Sequence, residues 1–220
     1  MKSSVFLRAA QVRIDLIGYY ANVFVMLLRG TLYQIIRFQF RGWLLLGRGG
    51  RVLGLSSIKF KGVVKVGAFS TLDARFCDRV ILGDRVSIGD FSIIRASGSH
   101  LFRCSHLILG RNVTFGPFCN IGGGFGLEVG DHCIFGPYVS VHPEEHYFNN
   151  LDIPIRDQGV FGSGIKIGSN NWVGAKATIL DGAVIQNGCV VVAGSLLLGR
   201  LYESDGVYVG SPCRFVRSRV

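Results

Sequence analysis

From residue 66 onward an apolar residue, often followed by glycine, recurs every six positions. Leu82-Gly83 and Ile88-Gly89 lead to Ile94; Leu109-Gly110, Phe115-Gly116 and Ile121-Gly122 follow, then Val129-Gly130, Phe135-Gly136 and Val141. After an interruption the longest run is Ile167-Gly168, Val173-Gly174, Ile179, Ile185, Val191 and Leu197. Four residues beyond each apolar position stands a small or medium side chain, such as Val86, Ser92, Cys119, Cys133, Ala177, Ala183, Cys189 or Ser195. A period of six fits neither an α-helix nor an alternating strand. One large and one small inward position per six residues, with a turn-permitting residue after the large one, predicts a mainly β fold: a parallel β-helix of hexapeptide repeats.

The N-terminal part follows another pattern. Residues 16–28 carry no charge, but thirteen residues are too few for a transmembrane helix, which needs roughly 20. Lys2, Arg8 and Arg13 before this stretch have the outline of a secretory signal, yet no small-residue cleavage site follows before Arg29. Over residues 31–43, Gln34, Arg37 and Arg41 recur at steps of three and four, which predicts a helix with these on one face and Leu32, Ile35, Ile36, Phe40 and Trp43 over much of the rest. Such a helix can lie in a membrane interface, and its alternative is a cap packed on the main domain with solvated arginines. The predicted organisation is therefore a helical, basic, apolar segment over 1–50, the β-helix over 51–199 with an excursion at 142–164, and a C-terminal tail over 200–220.

Charge sharpens that division. The chain of 220 residues has a net charge of +10, and residues 1–66 hold eleven Lys and Arg against the single acid Asp15, so the rest is neutral. The charge therefore marks the N-terminal segment as the part that meets an acidic surface. No nucleic-acid-binding motif accompanies it, so no nucleic-acid partner is expected. With 17% charged residues and 49% apolar ones the chain is not disordered, and its 31 glycines follow no collagen period. Cys119, Cys133 and Cys189 occupy the small inward slot as packing atoms, while Cys77, Cys104 and Cys213 show neither CxxC spacing nor an evident partner. A reducing cytoplasm is the simplest setting.

Function is expected where the repeat breaks. The largest break, residues 142–164, reads HPEEHYFNNLDIPIRDQGVFGSG; a second, residues 118–130, reads FCNIGGGFGLEVG. The hexads, the excursion and the ending VVVAGSLLLGRLYESDGVYVGSPCRFVR together resemble the left-handed β-helix acyltransferases, in the branch of sugar and polysaccharide O-acetyltransferases that includes the galactoside, maltose and xenobiotic acetyltransferases. The resemblance covers residues 66 to 217. It implies a homotrimer that uses acetyl-CoA, without a metal, with active sites between subunits.

The resemblance also implies roles for particular residues. The family's histidine sits nine residues beyond the proline of a turn that is here Phe135-Gly136-Pro137, which selects His146 as general base. Imidazole suits that task because it titrates near neutrality. His142 is the competing base, and Glu145 or Glu144 could orient an imidazole or be merely solvated. His100, His106 and His132 are read as structural or surface residues. Asn120 matches an asparagine that bonds the acceptor sugar, although an Asn is also at home in a turn. Trp172, Gly174, Ala175, Ala193 and Gly194 match positions along the pantetheine. Arg214 and Arg217 match terminal basic residues suited to nucleotide phosphates. Where relatives carry Thr-Lys this chain has Leu198-Gly199-Arg200, so that Arg200 or Lys176 is left as a possible source of phosphate charge.

The function implied is acetyl transfer to a saccharide hydroxyl in cell-surface polysaccharide biosynthesis, at the inner face of the cytoplasmic membrane, with an acceptor that could be lipid-linked. The alternatives are N-acylation of an amino sugar nucleotide, serine O-acetylation, a metal enzyme of the carbonic anhydrase kind, which would need three converging imidazoles, and a non-catalytic scaffold.

Overall fold

The computed structural model describes residues 2–97 and 104–220, with side chains from Asp15 onward; His100 lies outside the described residues. After a helix over Lys2–Ile36, short strands wind into three sheets of nine, seven and seven strands, parallel except for the last strand of the first. Consecutive hexads fall on successive sheets, so each turn of chain makes a triangular coil that stacks on the one before. The strand register shows why the period is six: Leu46, Val66, Ile88, Phe115, Phe135, Val173, Val191 and Tyr208 form one inward ladder. Val52, Leu72, Ile94, Ile121, Val141, Ile179 and Leu197 form the second, and Leu82, Leu109, Val129, Ile167, Ile185 and Tyr202 run up the third. All of these are buried in one continuous core. Each face buries its apolar row only against its neighbours above and below and across the coil.

The coil starts at Leu44–Leu46, whose strand pairs with Val64–Val66, earlier than the boundary expected at residue 51. At the other end Gly206–Gly210 still pairs with Val190–Val191, and Cys213–Ser218 folds back antiparallel on it, so most of the expected tail belongs to the last coil.

The N-terminal helix differs from the expectation at its C-terminal end. It stops at Ile36, and Phe38 takes a left-handed backbone with φ of 52°. Gln34 does not share an exposed stripe with Arg37 and Arg41: it is fully buried, donating to Gly42 O at 3.0 Å and accepting from Arg41 N at 2.8 Å. The reason is that the helix lies against the first coil, with Met26, Gly30 and Gln34 buried at helical spacing. Arg29 donates to Leu46 O, and the Tyr33 hydroxyl both donates to Val52 O and accepts from Val52 N. These bonds satisfy backbone groups that the first coil, having no coil before it, would otherwise leave unpaired. No helix among the described residues is long and apolar enough to cross a membrane.

Candidate active site

The excursion is a hairpin raised from one corner of the coil. Glu145–His146 pairs antiparallel with Val160–Phe161, and the Tyr147 and Phe161 rings meet at 4.6 Å. Both feet are anchored. Pro143 is buried and its carbonyl accepts from Phe125 N at 3.2 Å, while Ser163 N and Gly164 N donate to the Asp181 carboxylate at 2.8 to 3.0 Å. Gly162 permits the hairpin to close on Phe125, since a Cβ there would come within 2.7 Å of that ring. The break at residues 118–130 and the excursion, far apart in sequence, thus make one structural unit.

His146 lies on this hairpin with its side chain exposed, opposite Val160. Glu145 precedes it on the same strand, so the two side chains leave opposite faces and Glu145 does not orient His146. Glu144 points elsewhere, its carboxylate lying over Gly124. At the hairpin's foot, His142 ends the strand Ser140–His142, and its Nε2 is 2.5 Å from Ser140 Oγ. Asn120 sits directly below Ser140 in register, with its side chain outward and exposed. The structure therefore brings Asn120, Ser140 and His142 onto one outer face, and His146 follows four residues further on, exposed on the hairpin.

Two neighbours escaped the sequence reading. Ser140 is the partner of His142. Arg95, exposed, stands in register with Gly122 on the same face, and Gly122 packs closely under the next coil, where a Cβ would come within 3.1 Å of Val141 O. The signal for Ser140 was the alternation SVH, in which both polar residues leave the same side of a strand. For Arg95 there was none, because the six-residue step breaks after Ile94 and the sequence does not count its offset to the next coil.

Four of the residues matched to the coenzyme, Gly174, Ala175, Ala193 and Gly194, stack at one corner. A Cβ on Gly136 would come within 2.6 Å of Ala175 N, and one on Gly174 within 2.5 Å of Ala193 N, so successive coils approach there at backbone distance. Gly194 N donates to Ala175 O at 2.8 Å, and Gly194 has φ of 71°. Trp172 is exposed on the adjoining face. This row of Ala175, Ala193 and Gly194 is a shallow track of small groups along the axis. Above it the returning strand carries Arg214 opposite Val209 and Arg217 opposite Val207. Arg214 lines a recess of about 520 Å³ with Tyr208 and Phe215. Arg200 lines the same recess, donating to Cys213 O and stacking over the Tyr202 ring at 5.0 Å. Lys176 is exposed at the track's corner, with φ of 60°.

His106 and His132 have structural partners. His106 Nε2 meets Glu128 Oε1 at 3.0 Å and its Nδ1 meets Ser105 Oγ at 2.8 Å, while His132 Nδ1 lies 3.2 Å from Asn112. Among the described residues no group of three or more His, Cys, Asp or Glu is arranged to hold a metal ion.

A triangular solenoid with six-residue sides and a histidine-bearing excursion defines the hexapeptide-repeat class, and comparison with known proteins agrees. Residues 164–199 match the bacterial transferase hexapeptide (six repeats) family. A Mycobacterium tuberculosis protein described as a "Probable acetyltransferase" is 29% identical over 138 residues, 63% of this chain and 44% of that protein. The galactoside O-acetyltransferase of Escherichia coli is 28% identical over 118 residues, 51% of this chain and 54% of that protein. The chain thus spans about half the length of these curated relatives. Among solved structures, AntD, an N-acyltransferase from Bacillus cereus crystallised with dTDP and 3-hydroxybutyryl-CoA, superposes with a TM-score of 0.51 at 17% identity, covering 85% of this chain and 87% of AntD. The fold is the left-handed parallel β-helix of hexapeptide repeats, and over part of its length the chain is similar to acetyltransferases built on such repeats.

Proposed function

We propose that this protein transfers an acetyl group from acetyl-CoA to a saccharide hydroxyl, with His146 as general base. The observation that carries the reading is the hairpin, which presents the exposed imidazole of His146 just beyond the strand on which Ser140, stacked on the outward Asn120, lies. His142 is already engaged by Ser140, which favours it as a support of the acceptor site over the base. The acceptor O–H gives its proton to His146 as its oxygen attacks the thioester carbonyl; the C–S bond then breaks, and the imidazolium returns the proton to the leaving thiolate. Asn120 both donates to and accepts from sugar hydroxyls. The pantetheine runs along Trp172, Gly174, Ala175, Ala193 and Gly194, and Arg214 and Arg217 meet the nucleotide phosphates.

His146 is exposed on the hairpin, and a homotrimer in which a neighbouring subunit closes the cleft would complete the site. The acceptor is a glycan or its lipid-linked precursor at the inner face of the cytoplasmic membrane, in cell-surface polysaccharide synthesis. His146→Ala should lower kcat by about 100-fold to 10,000-fold with the trimer intact by analytical ultracentrifugation. A folded trimer with near-normal turnover would remove His146 from this role. A mass-spectrometric screen of saccharide acceptors separates O- from N-transfer: an alkali-labile product is the ester, and a stable one is the amide expected of an amino-sugar N-acyltransferase.

A further inference from the structure

We propose that the outer face of the N-terminal helix and the turn at residues 37–43 dock on an anionic phospholipid surface, with the coils standing away from the bilayer. The location at a membrane rests on the preceding reading; the docking face, its lipid class and the distance of the site come from the fold. The helix uses one stripe to cap the first coil, yet its other side is also apolar: Ile17 is 69% exposed, Phe24 60%, Leu28 53% and Leu32 57%. The left-handed turn at Phe38 then throws out three aromatic side chains, Phe38 at 96% exposed, Phe40 at 60% and Trp43 at 56%. Contiguous exposed apolar surface of this kind marks an interaction face.

Charge chooses the occupant. Arg37, Arg41, Lys59, Lys61 and Lys65 are exposed on or next to this end of the solenoid, within a region holding eleven basic residues and a single acid. A second copy would bring like charge against like charge, whereas anionic headgroups complement it. Arg41 and Lys59 flank a recess of about 460 Å³ edged by Phe40 and Ser56, which offers cations and hydroxyls to a lipid phosphate while the aromatic rings enter the boundary below the headgroups. Because the helix lies across the end of the coil stack, the axis rises from the docked face. The Ser140–His142 strand is four inter-strand steps above Arg51–Leu53 in its sheet, about 19 Å at about 4.8 Å a step. The site would then meet glycan held well out from the lipid, not the sugar attached directly to it.

The test uses the full chain with Trp172→Phe, which leaves Trp43 as the sole tryptophan. It is mixed with vesicles of phosphatidylcholine alone or of phosphatidylcholine with phosphatidylglycerol. Docking predicts a blue shift of Trp43 emission and co-sedimentation with the anionic vesicles. Arg41→Gln with Lys59→Gln should weaken partition about 30-fold, each basic side chain contributing about fivefold. Equal partition to both vesicle types, or no partition, overturns the proposal. So does a Trp43 already blue-shifted without vesicles in a concentration-dependent oligomer, which would mean that a second copy covers the face. Acetylation is assayed on the wild-type chain, since Trp172 belongs to the coenzyme track: vesicle binding with no acetylation of any saccharide by the wild type would sink the preceding reading and leave this one, and acetylation without vesicle binding would do the reverse.

Discussion

Asp73 is the one buried carboxylate among the described residues, 6% exposed, and it is held by a fork from Arg75: Nε to Oδ1 at 2.9 Å, Nη2 to Oδ2 at 2.8 Å, with Arg75 N also donating at 3.1 Å. These hydrogen bonds hold its pKa below the ordinary carboxylate value, against the opposing effect of burial. A depressed folded pKa stabilises the fold above the unfolded value of about 3.9, and that contribution is lost as pH falls through the folded value. With Arg75 half in solvent the pair is screened, so Asp73→Asn should cost about 1 kcal/mol at pH 7. Denaturant melts should show the gap from wild type closing in strong acid. The cysteines make a second residue-scale case. Burial pushes up the thiol pKa of Cys119, Cys133, Cys189 and Cys213, and Cys104 is pushed up by a hydrogen bond with Cys77 and by burial. Thiolates are the reactive form. Iodoacetamide at pH 8 should therefore label the native protein far more slowly than the denatured chain, in which all six cysteines become available.

At the scale of elements, the cap helix depends on Gly30. A Cβ at that position would sit 1.8 Å from Leu44 O, so a side chain there must push the helix off the first coil. Displacement would free the Leu46 and Val52 backbone groups that Arg29 and Tyr33 now satisfy, and an uncovered strand edge is a template for pairing with another chain. Gly30→Val should thus produce aggregation, seen by light scattering, in addition to a lower melting temperature. Much of the helix was readable in the sequence as an apolar segment with too short a charge-free core to span a bilayer. Its end at Ile36 was not, because Gln34 and Arg41 look alike as polar residues at helical spacing until Gly42 and Leu44 are known to lie beneath one of them. The start of the coil at Leu44 carried a faint signal: Leu46 and Val52, then Phe60, Val66 and Leu72, already keep the six-residue step.

For the whole molecule, stability is nearly one-dimensional, each coil supporting only its neighbours. A central cavity should therefore weaken both flanks. Phe115 stacks on Phe135 at 4.5 Å in the middle of one ladder, and Phe115→Ala should cost about 3–5 kcal/mol in chemical denaturation. The same stacking brings distant segments together. Cys77 and Cys104, which showed no partnership in the sequence, form a parallel β-bridge because their coils are adjacent. Asn120 meets Ser140 for the same reason. By itself the sequence determined the repeat, its inward large and small positions and the excursion, since a six-residue pattern is local and each coil obeys the same short-range rule, while His146 was singled out by the resemblance to the acyltransferases. Only the tertiary structure decided which residues stack across coils, which face of the helix is buried and which polar groups surround the histidines. Insertions of unequal length separate neighbouring coils, so the offset between partners in space cannot be counted along the chain.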